Sequence, residues 1–164
     1  MISYLTDMDG VLHREGEIIP GAKEFIGALR SEDIDFMVLT NNSIQTPRDL
    51  SAKLQRMGLD IEPERIWTSA TATAKFLSQQ AGVASAYVIG EAGLTTALHE
   101  IGWILTDADP DFVVLGETRT YSFEALTTAS NLIRNGSRFI ATNPDLTGPC
   151  LLYTSPSPRD RQKS

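Results

Sequence analysis

Hydrophobic and polar positions alternate with two different periods over residues 1–60, and these periods predict strands and helices. Apolar runs of strand length cover residues 2–6 and 35–40, whereas apolar residues recur at helical spacing over about residues 21–31. Between the first strand and this helix, the segment "HREGEIIPGA" is rich in turn-forming residues. It predicts a tight hairpin centred on Glu15 and Gly16.

A second helix and a third strand continue the same order. Thr46 followed by Pro47 is typical of a helix N-cap and first turn, and Gly58 is typical of a helix end. "RIWTS" is a further strand candidate, and helical periodicity resumes over about residues 70–80. Strands that alternate with helices indicate a parallel sheet with crossover helices, so the predicted fold class is α/β.

The pattern restarts after a small, polar stretch, "SQQAGVAS". The elements predicted there are strands at residues 86–90, 111–116 and 138–142, a helix at residues 94–101, and a helix that begins near Phe123 and ends at Asn135 and Gly136. We therefore expect a first unit over residues 1–83 and a second α/β unit over residues 84–149.

Residues 150–164, "CLLYTSPSPRDRQKS", differ in character from the rest of the chain. They are rich in serine and proline and show no hydrophobic periodicity, so they cannot bury one face of an element. The segment "CLLYTSPSPRD" resembles the translation of a transposase-type sequencing adapter. The expectation is a non-native or disordered tail.

Composition and charge restrict the partners. A hydrophobic content of 41% with 21% charged residues suits a packed core. The net charge of −7 argues against nucleic acid or an anionic membrane as the main partner, while a small phosphorylated molecule stays compatible with it. A single cysteine excludes an internal disulfide, and neither a signal-like start nor a long apolar run is found. These features predict a cytoplasmic globular protein.

Two carboxylates stand two residues apart in "YLTDMDGVLH", where the first predicted strand, expected to be buried, ends. In extended backbone Asp7 and Asp9 point the same way, toward the crevice where open α/β sheets bind ligands. Two such charges repel unless a proton or a cation lies between them, and Mg²⁺ prefers oxygen ligands. The pair suits a site in which one carboxylate attacks a phosphorus atom and the other transfers protons.

The segment "LTNN" ends the second apolar strand and supplies complementary groups. Thr40 and Asn41 offer hydroxyl, amide and backbone donors for a phosphate. Each motif alone also has a plainer interpretation, in which Asp-x-Asp is surface-turn chemistry, Thr40 is a strand-end cap, and Asn41 and Asn42 are turn residues. Both motifs together at the ends of predicted strands favour a site. His13 and His99 lack ligand-like spacing and are predicted to be ordinary polar surface residues.

"DMDGVL", the hairpin after it and "LTNN" together resemble the haloacid dehalogenase superfamily of phosphatases. The resemblance is closer to its NagD-like branch of nucleotide phosphatases, because four later segments are similar to that branch in the same order. These segments are "TSATATAKFL", "AYVIGEAGL", "DADPDFVVLGETRTYSF" and "NGSRFIATNPD". The resemblance covers about residues 1–148.

This resemblance implies a Rossmann-like core in which Asp7 is the nucleophile and forms an aspartyl-phosphate. Asp9 would be the general acid and then the base, and Asp7 and Asp9 would hold Mg²⁺, Asp9 through its backbone carbonyl. Thr40 and Asn41 would hold the phosphoryl group of a small substrate, and the resemblance implies a nucleoside monophosphate. The second unit would be an inserted α/β cap of the C2 type.

The family pattern also requires a lysine after the cap and a Gly-Asp motif with further carboxylates, and neither is present in the sequence. The resemblance therefore implies an N-terminal fragment with an incomplete core sheet, inactive as it stands. Two other functions fit an Asp-x-Asp motif. A glycosyltransferase would use it to bind a metal–nucleotide, and a receiver-like module would carry a stable phosphate on Asp7 without turning over a substrate.

Overall fold

The computed structural model describes residues 2–144 as two parallel sheets with flanking helices and one short hairpin. The strands are β1 (Ser3–Asp7), β2 (His13–Arg14), β3 (Glu17–Ile18), β4 (Asp35–Thr40), β5 (Ile66–Thr68), β6 (Ser85–Ile89), β7 (Ile104–Leu105), β8 (Phe112–Leu115) and β9 (Arg138–Ala141). The helices are α1 (Ala22–Ser31), α2 (Pro47–Met57), α3 (Ser69–Gln80), α4 (Ala92–Glu100) and α5 (Phe123–Arg134), and a 3₁₀ turn covers Pro63–Arg65. The predicted tail from residue 150 lies outside the described residues.

The first sheet contains three parallel strands in the order β1-β4-β5. Asp7 pairs with Leu39, and Thr40 pairs with Thr68, so the carboxyl ends of all three strands lie at the same end of the sheet. The α/β class predicted from the alternating pattern is confirmed in this unit.

The hairpin between β1 and α1 also matches its prediction. Strands β2 and β3 pair antiparallel, and the two residues between them, Glu15 and Gly16, both have positive φ, at 53° and 86°. This turn geometry matches the twist of two-residue hairpins, and glycine adopts it without steric cost. The connection from β1 to α1 is therefore short.

Helix α2 begins and ends at the predicted residues. The Thr46 side chain accepts a hydrogen bond from the Asp49 N–H, and the Asp49 side chain accepts one from the Thr46 N–H, which together form a capping box. Gly58 ends the helix with φ of 90°. The buried face of α2, Leu50 and Leu54, joins a first hydrophobic core with residues of α1 and β4.

The second sheet has four parallel strands in the order β7-β6-β8-β9, so β6 has β7 on one side and β8 on the other. A second hydrophobic core lies against it and includes Leu94, Leu98, Trp103 and Phe112. The two-residue strand β7 was not predicted, because two residues are too few for a hydrophobic period to show.

Helix α3 bears on the boundary between the two units. Its buried residues Ala70, Ala74 and Leu77 belong to the second hydrophobic core, together with residues from β6 and α4. The predicted division between residues 83 and 84 stays a prediction. The packing of α3 favours a boundary closer to the end of β5.

Strand β1 differs from its prediction as a buried strand. All its residues except Thr6 are exposed, and Leu5 is 71% accessible. In the described part of the chain β1 pairs only with β4 and forms an edge of the sheet. Among the helices of residues 2–144, none has the length and apolar character needed to cross a bilayer.

Candidate active site

The Asp-x-Asp motif lies at the carboxyl end of β1. Asp7 is the last residue of the strand and Asp9 follows two residues later, and both are exposed, whereas Met8 between them is buried. The Met8 N–H donates to the carbonyl of Leu39 at 3.0 Å, which continues the pairing of β1 with β4 past Asp7. The extended backbone thus places both carboxylates on the solvent side of this end of the sheet.

A side-chain hydrogen bond joins the two predicted motifs. The Thr40 hydroxyl at the end of β4 donates to Asp9 Oδ2 at 3.0 Å, across 31 positions of sequence. The same Thr40 oxygen accepts the N–H of Asn42 at 3.1 Å. Thr40 is buried, so this contact fixes the Asp9 carboxylate against the start of the loop that follows β4.

The two asparagines of "LTNN" differ in their surroundings. Asn42 Oδ1 accepts the N–H groups of Ile44 and Gln45 at 3.0 and 2.9 Å, so the turn interpretation applies to Asn42. Asn41 is exposed, and its backbone carbonyl accepts a hydrogen bond from the Ser69 hydroxyl at 2.7 Å. Asn41 therefore has an anchored backbone and a side chain at the surface beside Thr40.

His13 contradicts its prediction as a polar surface residue. It is only 3% exposed, because β2 folds back beneath the loop after β1, and its Nε2 lies 3.5 Å from Asp9 Oδ1. Burial lowers the pKa of His13 below its usual range, the charge of Lys53 lowers it further, and Asp9 raises it. The spacing between His13 and His99 could not predict this contact, because the partner of His13 is Asp9. His99 is exposed, as predicted.

The residues at this site offer part of a magnesium site. Within residues 2–144 no group of three or more histidine, cysteine, aspartate or glutamate side chains is placed to hold a metal ion. Asp7 and Asp9 nevertheless supply carboxylate oxygens, which are the donors that Mg²⁺ prefers. Asp7 Oδ1 accepts the Met8 N–H at 2.8 Å, which orients this carboxylate. The oxygen donors at this site therefore suit Mg²⁺, but the described residues supply only some of the ligands that the ion needs.

Two residues near the site were not found from the sequence. Ser69 anchors the backbone of Asn41, and Ser43 is completely buried just beyond Asn42. Both serines contact residues that are distant in the sequence and become neighbours only after folding. No local hydrophobic period or residue spacing therefore indicates these contacts. The serine that follows "LTNN" is visible in the sequence, but its burial is not.

Comparison with known proteins agrees with these features. The sequence pattern of the family described as "Haloacid dehalogenase-like hydrolase" matches residues 4–104. The chain is 72% identical over 148 residues to a protein named dihydroxyacetone phosphatase from Corynebacterium glutamicum, covering 90% of this chain and 54% of that protein. It is 42% identical over 148 residues to an acid sugar phosphatase of Staphylococcus aureus, covering 90% of this chain and 57% of that relative.

The solved structure of NagD from E. coli K-12 is also similar. It superposes with a TM-score of 0.83 at 41% identity, over 89% of this chain and 58% of the NagD chain. The chain thus spans a little over half the length of the curated relatives that it matches. A family pattern that covers more than half of these 164 residues, together with the shared fold, shows that the chain belongs to the haloacid dehalogenase-like hydrolases.

Proposed function

We propose that this chain carries the N-terminal part of a Mg²⁺-dependent phosphomonoesterase that works through an aspartyl-phosphate on Asp7. The observation that carries the proposal is the hydrogen bond from Thr40 to Asp9, which joins the two motifs at the carboxyl ends of adjacent parallel strands. Ligands of open α/β sheets bind at such strand ends. Family membership and relatives named as phosphatases support the same chemistry.

The two carboxylates divide the work between attack and proton transfer. An oxygen of Asp7 forms a bond to phosphorus, the bond from phosphorus to the substrate oxygen breaks, and Asp9 gives its proton to the leaving oxygen. Asp9 then takes a proton from a water molecule that attacks the same phosphorus. The bond to Asp7 breaks, inorganic phosphate leaves, and Asp7 is restored.

Thr40 and Asn41 hold the phosphoryl oxygens in this mechanism. The Thr40 hydroxyl has a single proton, and in the structure it is donated to Asp9. The hydroxyl therefore serves either the ionised Asp9 or a phosphoryl oxygen, but not both at once. The exposed Asn41 side chain carries two N–H donors. It is the donor available throughout the cycle.

Asp7 and the backbone carbonyl of Asp9 are the groups of this chain that would hold Mg²⁺. The ion, when bound, would offset charge on the phosphoryl oxygens and on the carboxylates. One carboxylate and one carbonyl do not complete an octahedral oxygen site. The remaining ligands would come from groups outside the described residues.

The substrate is a small phosphomonoester, for which the resemblance to the NagD branch favours nucleoside monophosphates. A second candidate is dihydroxyacetone phosphate, because the 72% identical relative is named for it, whereas NagD itself is 42% identical. We further propose that the second unit is a C2-type cap and that the protein acts in the cytoplasm, a location that its single cysteine supports.

The test uses a completed protein, in which residues 1–148 are followed by the remaining part of the Corynebacterium glutamicum relative. With Mg²⁺ it should release phosphate from uridine monophosphate or dihydroxyacetone phosphate, and Ca²⁺ should substitute poorly because its looser coordination misplaces the phosphoryl oxygens. Full activity in excess chelator would count against the mechanism. Binding of a sugar nucleotide without phosphate release would favour the glycosyltransferase. A stable phosphate on Asp7 without turnover would favour the receiver-like module.

Substitutions in the completed protein test the two roles. Asp7→Asn should abolish turnover, because an amide is a poor nucleophile and does not neutralise a cation. Asp9→Asn should lower the rate more than substrate binding, since proton transfer is its main role. Asp33→Asn is the matched control, because Asp33 lies in an exposed turn at the opposite end of the sheet with φ of 52°, a conformation that asparagine tolerates. Substantial phosphatase activity in Asp7→Asn would refute the assignment.

A further inference from the structure

The loop directly after the phosphate-binding residues packs against the second unit. Ser43 is 0% exposed, and its Oγ accepts the backbone N–H of Glu117, just beyond β8, at 2.8 Å. The carbonyl of the next residue, Ile44, accepts the N–H of Gly93 in the first turn of α4, also at 2.8 Å. Residues 43–45 thus receive two hydrogen bonds from the second unit.

Glycines in the second unit make this close approach possible. A Cβ atom on Gly93 would lie 2.6 Å from the carbonyl oxygen of Gln45 and 2.7 Å from that of Ser43, and both are backbone atoms that cannot turn aside. A Cβ atom on Gly116 would lie 3.2 Å from Ser43 Oγ. Only a glycine at position 93 allows α4 to reach the loop at this distance.

The loop occupies the place where a ligand would otherwise bind the second sheet. Gly93 follows β6 and Glu117 follows β8, and β6 is the strand at which the sheet order reverses. The crevice at the carboxyl ends of such strands is the usual ligand site of an open α/β sheet. Here the backbone carbonyl of Ile44 satisfies a first-turn N–H of α4, that of Gly93, which has no partner within its own helix.

This loop connects directly to the proposed active site. Asn42 Oδ1 accepts the N–H groups of Ile44 and Gln45, and the Asn42 N–H donates to Thr40 Oγ1. Thr40 in turn donates to Asp9. Hydrogen bonds, linked through Ile44 and Asn42 themselves, therefore connect the second unit to the proposed general acid.

We propose that the second unit positions the phosphate-binding residues Thr40 and Asn41 through the loop 43–45, with Ser43 as a positioning residue. This inference rests on the proposed function, since it assigns a role within that site. Ser43 is fully buried, and it acts by holding the loop against Glu117. Any shift of the second unit along this contact would displace Thr40 and Asn41.

The first test is hydrogen exchange of backbone amides in the 164-residue chain, repeated in the completed protein. Ser43→Ala removes the acceptor for Glu117 and should speed exchange at residues 44, 45 and 117 by about tenfold beyond any change in global stability. The matched control is Ser51→Ala, because Ser51 is also buried, at 3% exposure, and its hydroxyl donates to Ile61 within the first unit. The inference would be overturned if these three amides were unprotected in the wild type. It would also be overturned if their exchange rates were equal in the two variants.

The second test separates positioning from stability in the completed protein. Where both variants are folded, Ser43→Ala should lower kcat by about tenfold to a hundredfold, as expected for a misplaced site, while Ser51→Ala leaves kcat unchanged. Equal kcat values in the two variants would contradict the positioning role. If the completed wild type releases no phosphate from any monoester, the proposed function fails, and the exchange experiment alone decides whether the second unit holds the loop.

Discussion

Two pairs of parallel strand ends can be compared in this molecule. One pair is formed by β1 and β4 and the other by β6 and β8, and they differ in the residues that they present. The first pair of strand ends presents exposed Asp7, Asp9 and Asn41 to solvent. The second pair presents Gly93 and Gly116, which are covered by the loop that leaves β4. Topology therefore determines where a ligand can bind, and the residue types at the strand ends determine whether the place becomes a polar site or a packing contact.

The sheet edges extend this comparison. Both sheets have an exposed edge strand and a buried centre. Leu5 in β1 is 71% exposed and Phe139 in β9 is 50% exposed, whereas the central Val38 and Val113 are 0% and 1% exposed. An exposed apolar strand with an unpaired edge is a recognised aggregation risk. The polar site thus lies at the end of an exposed edge strand, β1.

The largest effect is expected from completing the chain. The 164-residue chain should release no measurable phosphate from nucleoside monophosphates and should be poorly soluble, because residues 2–144 offer only two carboxylates at the site and leave β1 exposed. The completed protein should turn over substrate and stay in solution. Phosphate release and light scattering of both proteins, measured side by side, check this prediction. Comparable rates would mean that the short chain already carries a complete site.

The next largest effect is expected at the covered strand ends. Gly93→Ala places a methyl group against two backbone carbonyls and should lower the free energy of unfolding by about 1–3 kcal/mol. Gly27→Ala is the control, because nothing lies within 4 Å of a Cβ atom there and alanine favours its helix, α1. Denaturant unfolding compares the two. A Gly93→Ala protein as stable as Gly27→Ala would mean that α4 does not press on residues 43–45.

A smaller effect distinguishes the two asparagines after β4. Asn42→Ala removes the acceptor of two part-buried backbone N–H groups and should lower both the stability, by about 0.5–1.5 kcal/mol, and the activity of the completed protein. Asn41→Ala should lower activity with little change in melting temperature, because its side chain is exposed. Thermal unfolding and kcat/KM are measured for each variant. The opposite assignment of effects would reverse the roles given to the two residues.

The smallest effect is expected far from both sets of strand ends. Arg30 Nη2 lies 2.7 Å from Glu62 Oε2 in an ion pair, and this contact with Arg30 is the main cause that holds the pKa of Glu62 below its ordinary value of 4.5. Because the pKa of Glu62 is lowered in the folded state, its ionised form stabilises the protein above pH 4.5. This contribution is lost as the pH falls through the folded pKa. Both side chains are partly exposed, so solvent screening limits the contribution to about 0.5 kcal/mol or less.

Glu62→Gln tests that contribution. It should lower the free energy of unfolding slightly at neutral pH and flatten its fall below pH 4.5. Urea unfolding at neutral and acidic pH provides the measurement. An unchanged slope with pH would show that the Arg30 contact adds nothing to stability.

Local signals account for the parts of the fold that the sequence predicted. The N-cap at Thr46, the glycine after α2 and the turn at Glu15 and Gly16 are determined by residues near them in the chain, and all three predictions match the structure. The proximity of Asp9 and Thr40 was predictable for a different reason, because parallel strands place their carboxyl ends together.

Long-range contacts account for the parts that the sequence did not predict. The burial of His13 beneath Asp9, the exposure of β1 and the burial of Ser43 depend on which segments become neighbours after folding. Ser43 and Glu117 are separated by 74 positions, and no period within either segment records their contact. The contact between Ser43 and Glu117 forms only when the two units pack together, so it could not be predicted from either segment alone.

The central claim is that the open strand ends carry a nucleophile, and trapping the covalent intermediate tests it most directly. The completed protein is mixed with a phosphomonoester and Mg²⁺, quenched in acid during turnover and treated with borohydride, which reduces an aspartyl-phosphate at its carboxyl carbon. Peptide mass spectrometry should find the reduced side chain at Asp7 and at no other carboxylate. Turnover with Asp7 unmodified, or a modified Asp9 in its place, would contradict the account.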